Sequence, residues 1–182
     1  MVELLAPAGD IRAMYAAFSG GADAVYAGAN EFSARAYAAN FDTGALIDAI
    51  DYAHLIGKRL YLTLNILMKE KEIERLFDFL SPLYRAGLDG CIVQDMGAVR
   101  VLRENFPGLE IHGSTQLSVA NSYGAEYCRK KGMKRVVVAR ELSCAEIRNI
   151  HDNVEIEIEA FIHGAMCYSY SGFCLFSSFL GG

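Results

Sequence analysis

The stretch RLYLTLNI at 59–66 decides the fold class. It is near-continuously apolar, β-branched or aromatic at several positions, and too short for a buried helix. That is the composition of a parallel strand covered on both faces. Working outward, runs of the same kind recur: ELLAPA at 3–8, DAVYAG at 23–28, GCIVQD at 90–95, EIHGSTQ at 110–116, RVVVARE at 135–141 and VEIEIEAFI at 154–162. The last alternates, with Glu155, Glu157 and Glu159 between apolar neighbours. It reads either as an edge strand with one wet face or as a strand facing a polar barrel lumen.

Helical patterns fill the intervals. Asp10 is placed to cap a helix through Ser19, ended by Gly20-Gly21. Asp42 or Thr43 opens the next. In KEIERLFDFLSPLYRAG, one stripe carries Ile73, Leu76, Phe77, Leu80, Leu83 and Tyr84, and Pro82 is expected to bend the helix or end its regular part. AVRVLRENFPG stops at Pro107-Gly108, and Ser143 with Glu146 has capping-box spacing. Seven strand–helix alternations predict an α/β fold, either a barrel or a doubly wound sheet. No dinucleotide-type glycine fingerprint accompanies them, which favours a (βα)8 TIM-barrel-like fold. It is expected to be incomplete, with about seven βα units and the eighth missing. No linker interrupts the 182 residues, so 1–182 is expected to be one domain.

Composition narrows the class. The chain is 53% hydrophobic with positive mean hydropathy, which excludes disorder. No apolar run reaches a membrane span, and MVELLAPAGD lacks the basic region of a signal peptide. A cytoplasmic protein without membrane contact is the expectation. The net charge of −5 argues against a phosphate-binding coat of lysines but allows a local basic pocket. Five cysteines in a chain without an export signal do not make a disulfide framework. Cys91, Cys128 and Cys144 read as buried or incidental, since free cysteine behaves as a small hydrophobe.

In barrels of this kind chemistry gathers at strand C-termini. The loop after the second strand holds Arg35. The third strand ends at Asn65, and the fourth at Gln94 and Asp95. The fifth supplies His112 and Gln116, the sixth Arg140 and Glu141, and the seventh Glu159 and His163. Each alone has a structural reading: Asp95 can cap a helix, and Arg140 and Glu141 can form an ion pair. Together they predict a polar pocket that orients a planar, hydrogen-bonding substrate. No Ser-His-Asp order and no HExxH motif supplies an engine for hydrolysis. Cys167 and Cys174 are separated by six residues, with Gly164 and Gly172 nearby. A loop wrapping an iron–sulfur cluster fits this spacing, and zinc fits the ligand type.

The chain's end, EAFIHGAMCYSYSGFC followed by LFSSFLGG (159–182), resembles the peptidase U32 family, also called collagenase-like proteases. So do ELLAPAG at 3–9, GADAVYAG at 21–28, FSARA at 32–36, TLN at 63–65, VQD at 93–95, HGSTQ at 112–116 and ARELS at 139–143, in order along the whole chain. The family name implies a protease. The resemblance to its better-understood members implies oxygen-independent hydroxylation of tRNA or ribosomal RNA bases, or a step in ubiquinone synthesis. It also implies a four-iron, four-sulfur cluster on four cysteines, with Cys167 and Cys174 matching the first two. The family pattern continues beyond the double glycine with an arginine and further cysteines, where this sequence ends. An N-terminal piece lacking the later ligands and any RNA-binding C-terminal domain is therefore expected. The alternatives are a peptidase, or a non-catalytic subunit that associates with a partner or with itself through an open barrel edge.

Overall fold

The computed structural model describes residues 2–33, 41–164 and 166–174. Seven strands alternate with six helices among them: β1 (Leu5–Ala8), α1 (Ile11–Ser19), β2 (Ala24–Gly28), α2 (Thr43–Leu55), β3 (Arg59–Leu64), α3 (Glu70–Arg85), β4 (Gly90–Val93), α4 (Met96–Asn105), β5 (Glu110–Gly113), α5 (Ser122–Lys130), β6 (Arg135–Val137), α6 (Cys144–Asn153) and β7 (Glu157–Glu159). The chain forms two compact units, dividing between Leu109 and Glu110. In each, neighbouring strands are parallel and spatial order follows chain order. This is the α/β repeat of a TIM-barrel-like fold, incomplete at seven strands among the described residues.

The first unit is built on β3. Its register sets Val25 beside Leu60 and Leu62 beside Cys91, so one face carries Val25, Ala27, Leu60, Leu62, Leu64, Cys91 and Val93, all buried. The opposite face is more polar. Tyr61 donates to the Glu3 carboxylate at 3.1 Å, and Thr63 donates to the Ala27 carbonyl at 3.2 Å. The helices begin where the chain supplies caps. Asp10, Asp42 and Asp95 accept from backbone N–H groups three residues on, and Ser143 with Glu146 closes a capping box.

Helix α3 buries Leu76, Leu80 and Leu83, each worth about 1.5–3 kcal/mol. One expectation for it needs correction, and of the two outcomes expected at Pro82 the ending does not occur. Phe77 stands 46% exposed at the margin of the stripe, with its ring 5.5 Å from that of Phe106. The helix also continues through Pro82 to Arg85, because the proline falls in its last turn, where only one bond is lost.

The second unit holds β5, β6 and β7. Register aligns His112 with Arg135 and Arg135 with Glu157. Three predicted strands are shorter than their apolar runs. Beyond Val137 one more bond stays on β7, Val138 N–H to the Glu159 carbonyl, and then Ala139 N–H turns to Val119. Before Glu157, Val154 N–H still bonds to Ile150 and closes α6. Cys144 is exposed rather than buried, because it is the first residue of α6, whereas Cys91 and Cys128 are buried as expected. No helix of the described residues is long and apolar enough to cross a membrane.

Candidate functional site

In the first unit, the pairing of Leu64 with Val93 sets Asn65 and Gln94 side by side just beyond β3 and β4. Gln94 N–H donates to the Leu64 carbonyl at 3.3 Å, and both side chains are half-buried. Asp95 follows, but its carboxylate holds structure. One oxygen caps α4 through Ala98 N–H at 2.9 Å, and the other accepts from Met68 N–H at 3.1 Å. Arg35 lies outside the described residues.

In the second unit the predicted residues divide into two clusters. The first lies on the strands. His112 is fully buried inside β5, its Nε2 3.1 Å from Glu110 Oε2. One register step away, the Arg135 guanidinium donates to Glu157 Oε2 at 2.9 Å and stands 3.6 Å from Glu159. Burial works to raise the pKa of Glu157, but Lys134 and Arg135 outweigh it and hold the carboxyl below its usual range. The alternating Glu157 and Glu159 of the sequence therefore both lie against the Arg135 guanidinium.

The second cluster surrounds the cysteines. Arg140 and Glu141 follow β6 and grip the loop 167–171. Arg140 donates to the Cys167 carbonyl at 2.9 Å and, through its other terminal nitrogen, to the Ser169 carbonyl at 2.8 Å. Its Nε and its backbone N–H both donate to Ser171 Oγ, at 3.2 and 3.1 Å. Ser171 is 2% exposed. Its N–H donates to Glu141 Oε1 at 2.8 Å, and its hydroxyl donates to the same oxygen at 3.3 Å. A single 3-10 turn at Thr115–Leu117 closes the other side. There Ser118, in the left-handed conformation at φ 54°, donates to the Ser171 carbonyl at 2.6 Å. Gly172 backs onto the Gln116 carbonyl so closely that a Cβ would lie 2.6 Å from that oxygen.

Burial works against ionisation of Glu141, yet the Ser171 N–H, the Ser171 hydroxyl and the Arg140 charge together lower its pKa. The Cys167 thiol is also lowered, chiefly by the Ser169 N–H against the cost of burial, with help from Arg140, the Ser169 hydroxyl and Cys174. Both cysteines are exposed and sit on the short loop that Arg140 holds. Two thiols on one loop, one biased toward thiolate, suit a thiophilic metal such as iron or zinc. They amount to two donors. No group of three or more metal-binding side chains occurs among the described residues. His163 is exposed and joins neither cluster.

Ser118, Ser169, Ser171, Arg135 and Glu110 were not singled out from sequence. The Ser171-Gly172 dipeptide is a turn signal, but nothing local names its partners, which lie about thirty and fifty residues back.

Parallel strands in chain order, with polar groups and a cysteine pair beyond their C-terminal ends, define a barrel-type protein with a loop-borne thiol site. The chain belongs to peptidase family U32, whose model matches residues 9–182. It is 40% identical over 176 residues to the tRNA hydroxylation protein P1 of Bacillus subtilis, covering 97% of this chain and 42% of that protein. It is 39% identical over 176 residues to the 23S rRNA 5-hydroxycytidine synthase of Escherichia coli, covering 97% and 26%. The chain therefore spans less than half the length of these curated relatives. Among solved structures it resembles the U32 peptidase Mk0906, with a TM-score of 0.73 at 18% identity, covering 88% of this chain and 68% of that one.

Proposed function

We propose that this chain acts in the hydroxylation of an RNA base, in tRNA or ribosomal RNA, with an iron–sulfur cluster bound in part by Cys167 and Cys174. The observation that carries the reading is the cysteine pair held at the end of β6, in a chain about 40% identical to RNA hydroxylation proteins over nearly its whole length. When bound, such a cluster supplies electron transfer without molecular oxygen.

The chain's own residues bind and orient. Asn65 and Gln94 each offer a carbonyl acceptor and an amide donor, side by side, which is the chemistry that reads a base edge. Arg140 and Glu141 hold the cysteine loop. The Cys167 thiol is lowered in pKa, toward the thiolate form that ligates a metal.

The test is nucleoside mass spectrometry of tRNA and ribosomal RNA from cells with and without the gene. A hydroxylated pyrimidine, heavier by one oxygen, is expected to disappear from one RNA and return on complementation, but not with Cys167→Ala. Unchanged nucleosides in both RNAs would overturn the proposal. Cleavage of gelatin by the purified protein, alongside unchanged nucleosides, would favour the peptidase reading instead.

A further inference from the structure

We infer that Arg140 is a positioning residue for the Cys167–Cys174 pair: from the end of β6 it folds the loop around its guanidinium so that the two sulfurs form a preset chelating dithiol. The inference deepens the proposed function and rests on its reading of these two cysteines as metal donors.

An arginine that recruits an anionic substrate presents its donor fork to the open site. The Arg140 fork is instead closed on the protein's own main chain. Its two terminal nitrogens reach the carbonyls of Cys167 and Ser169, two residues apart, so the loop must curl around the guanidinium. Its Nε and backbone N–H meet on Ser171 Oγ, four residues past Cys167 and three before Cys174. Glu141 holds the Ser171 N–H, and Ser118 holds its carbonyl. Ser171 is thus fixed from three directions at the middle of the segment that joins the cysteines. That segment carries no helix or strand. Left to itself, it would lose conformational freedom on chelating a metal. Arg140 removes much of that freedom beforehand. Lysine cannot replace it, because a single ammonium cannot span two carbonyls and a hydroxyl in fixed directions.

Phenylarsine oxide tests this without cluster or activity. It joins one arsenic to two neighbouring sulfurs. Two As–S bonds form, both thiol protons are lost, and the arsenic oxygen leaves as water. The reduced full chain is expected to take one arsenical, mapped to Cys167 and Cys174, with both then protected from alkylation. Cys174→Ser is expected to abolish this two-sulfur adduct. Arg140→Lys should weaken arsenical binding about tenfold or more while the circular dichroism spectrum is unchanged. Ser118→Gly, which keeps the left-handed turn and removes the hydroxymethyl group that holds the Ser171 carbonyl, should weaken it in the same direction. If Arg140→Lys fails to fold, Ser118→Gly decides. Wild-type affinity in a folded Arg140→Lys protein, or in Ser118→Gly, overturns the inference, as does a wild-type chain that takes no two-sulfur adduct. Unchanged cellular nucleosides with the arsenical result intact would remove the RNA function and leave the positioning role standing.

Discussion

Replacing Gly172 by alanine should release the cysteine loop. Two costs add. Gly172 has φ +80°, which an L-residue enters at about 1–2 kcal/mol. The added Cβ would also sit 2.6 Å from the Gln116 carbonyl oxygen and closer still to Ser118 Oγ. The carbonyl belongs to a 3-10 turn and cannot swing away alone. The Ser118 hydroxyl can, at the loss of its hydrogen bond to the Ser171 carbonyl, about 0.5–1.5 kcal/mol. The local opening free energy of residues 166–174 should therefore fall by about 1.5–3.5 kcal/mol. That corresponds to roughly 10- to 300-fold faster amide exchange in the protected part of the loop. Hydrogen–deuterium exchange with peptide-level mass spectrometry reads this, and the Ser171 N–H, bound to Glu141, is the reporting amide. Helices α1 to α4 should exchange as in the wild type. Wild-type exchange at Ser171 in Gly172→Ala would refute the packing of Gly172 against Gln116. A global drop in protection would refute the idea that the loop opens by itself.

Further outcomes follow from other contacts. Asp95→Ala removes both the α4 cap and the acceptor for Met68 N–H, and should cost about 1–3 kcal/mol in urea unfolding; Asp95→Asn should recover part of it. Glu141 has a lowered pKa in the fold, so its contribution is present above the ordinary glutamate value of 4.5 and is lost as pH falls through the lower folded value. The difference in melting temperature between wild type and Glu141→Gln should accordingly be present at pH 6 and shrink below pH 4.5; a difference that grows on acidification would contradict the assignment. Alkylation of the native protein should label Cys144, Cys167 and Cys174 and spare Cys91, whose thiol burial pushes far up, and Cys128. Labelling of Cys91 at the rate of Cys144 would mean that the β3–β4 face opens.

Much of the architecture was legible because it is written locally. A strand covered on both faces must be largely apolar, and 60–64 is buried throughout with Thr63 its one aliphatic hydroxyl. A helix must satisfy its first N–H groups, and Asp10, Asp42 and Ser143 sit where that requires. Strand lengths were overestimated because an apolar run does not say where its hydrogen bonds change partner, as they do after Val138. The same limit applies to the site. Arg140, Glu141 and Cys167 are conspicuous by type and position, but the contact joining Ser118 to Ser171 spans 53 residues and leaves no mark in either neighbourhood. Nor does spacing tell whether an arginine beyond a strand faces a ligand or its own backbone. The Arg140 fork required coordinates.

The way the loop is held has a consequence for how freely it can vary. Arg140 grips carbonyl oxygens at Cys167 and Ser169, and these exist whatever side chain follows the backbone. Between them Tyr168 projects fully into solvent, and Tyr170 is largely exposed. The grip therefore tolerates new chemistry at 168 and 170, while demanding a hydroxyl at 171 and no side chain at 172. Positions 168 and 170 are thus interchangeable fittings on a fixed mount. Saturation libraries there should alter what the thiol site meets from outside without retuning the mount itself.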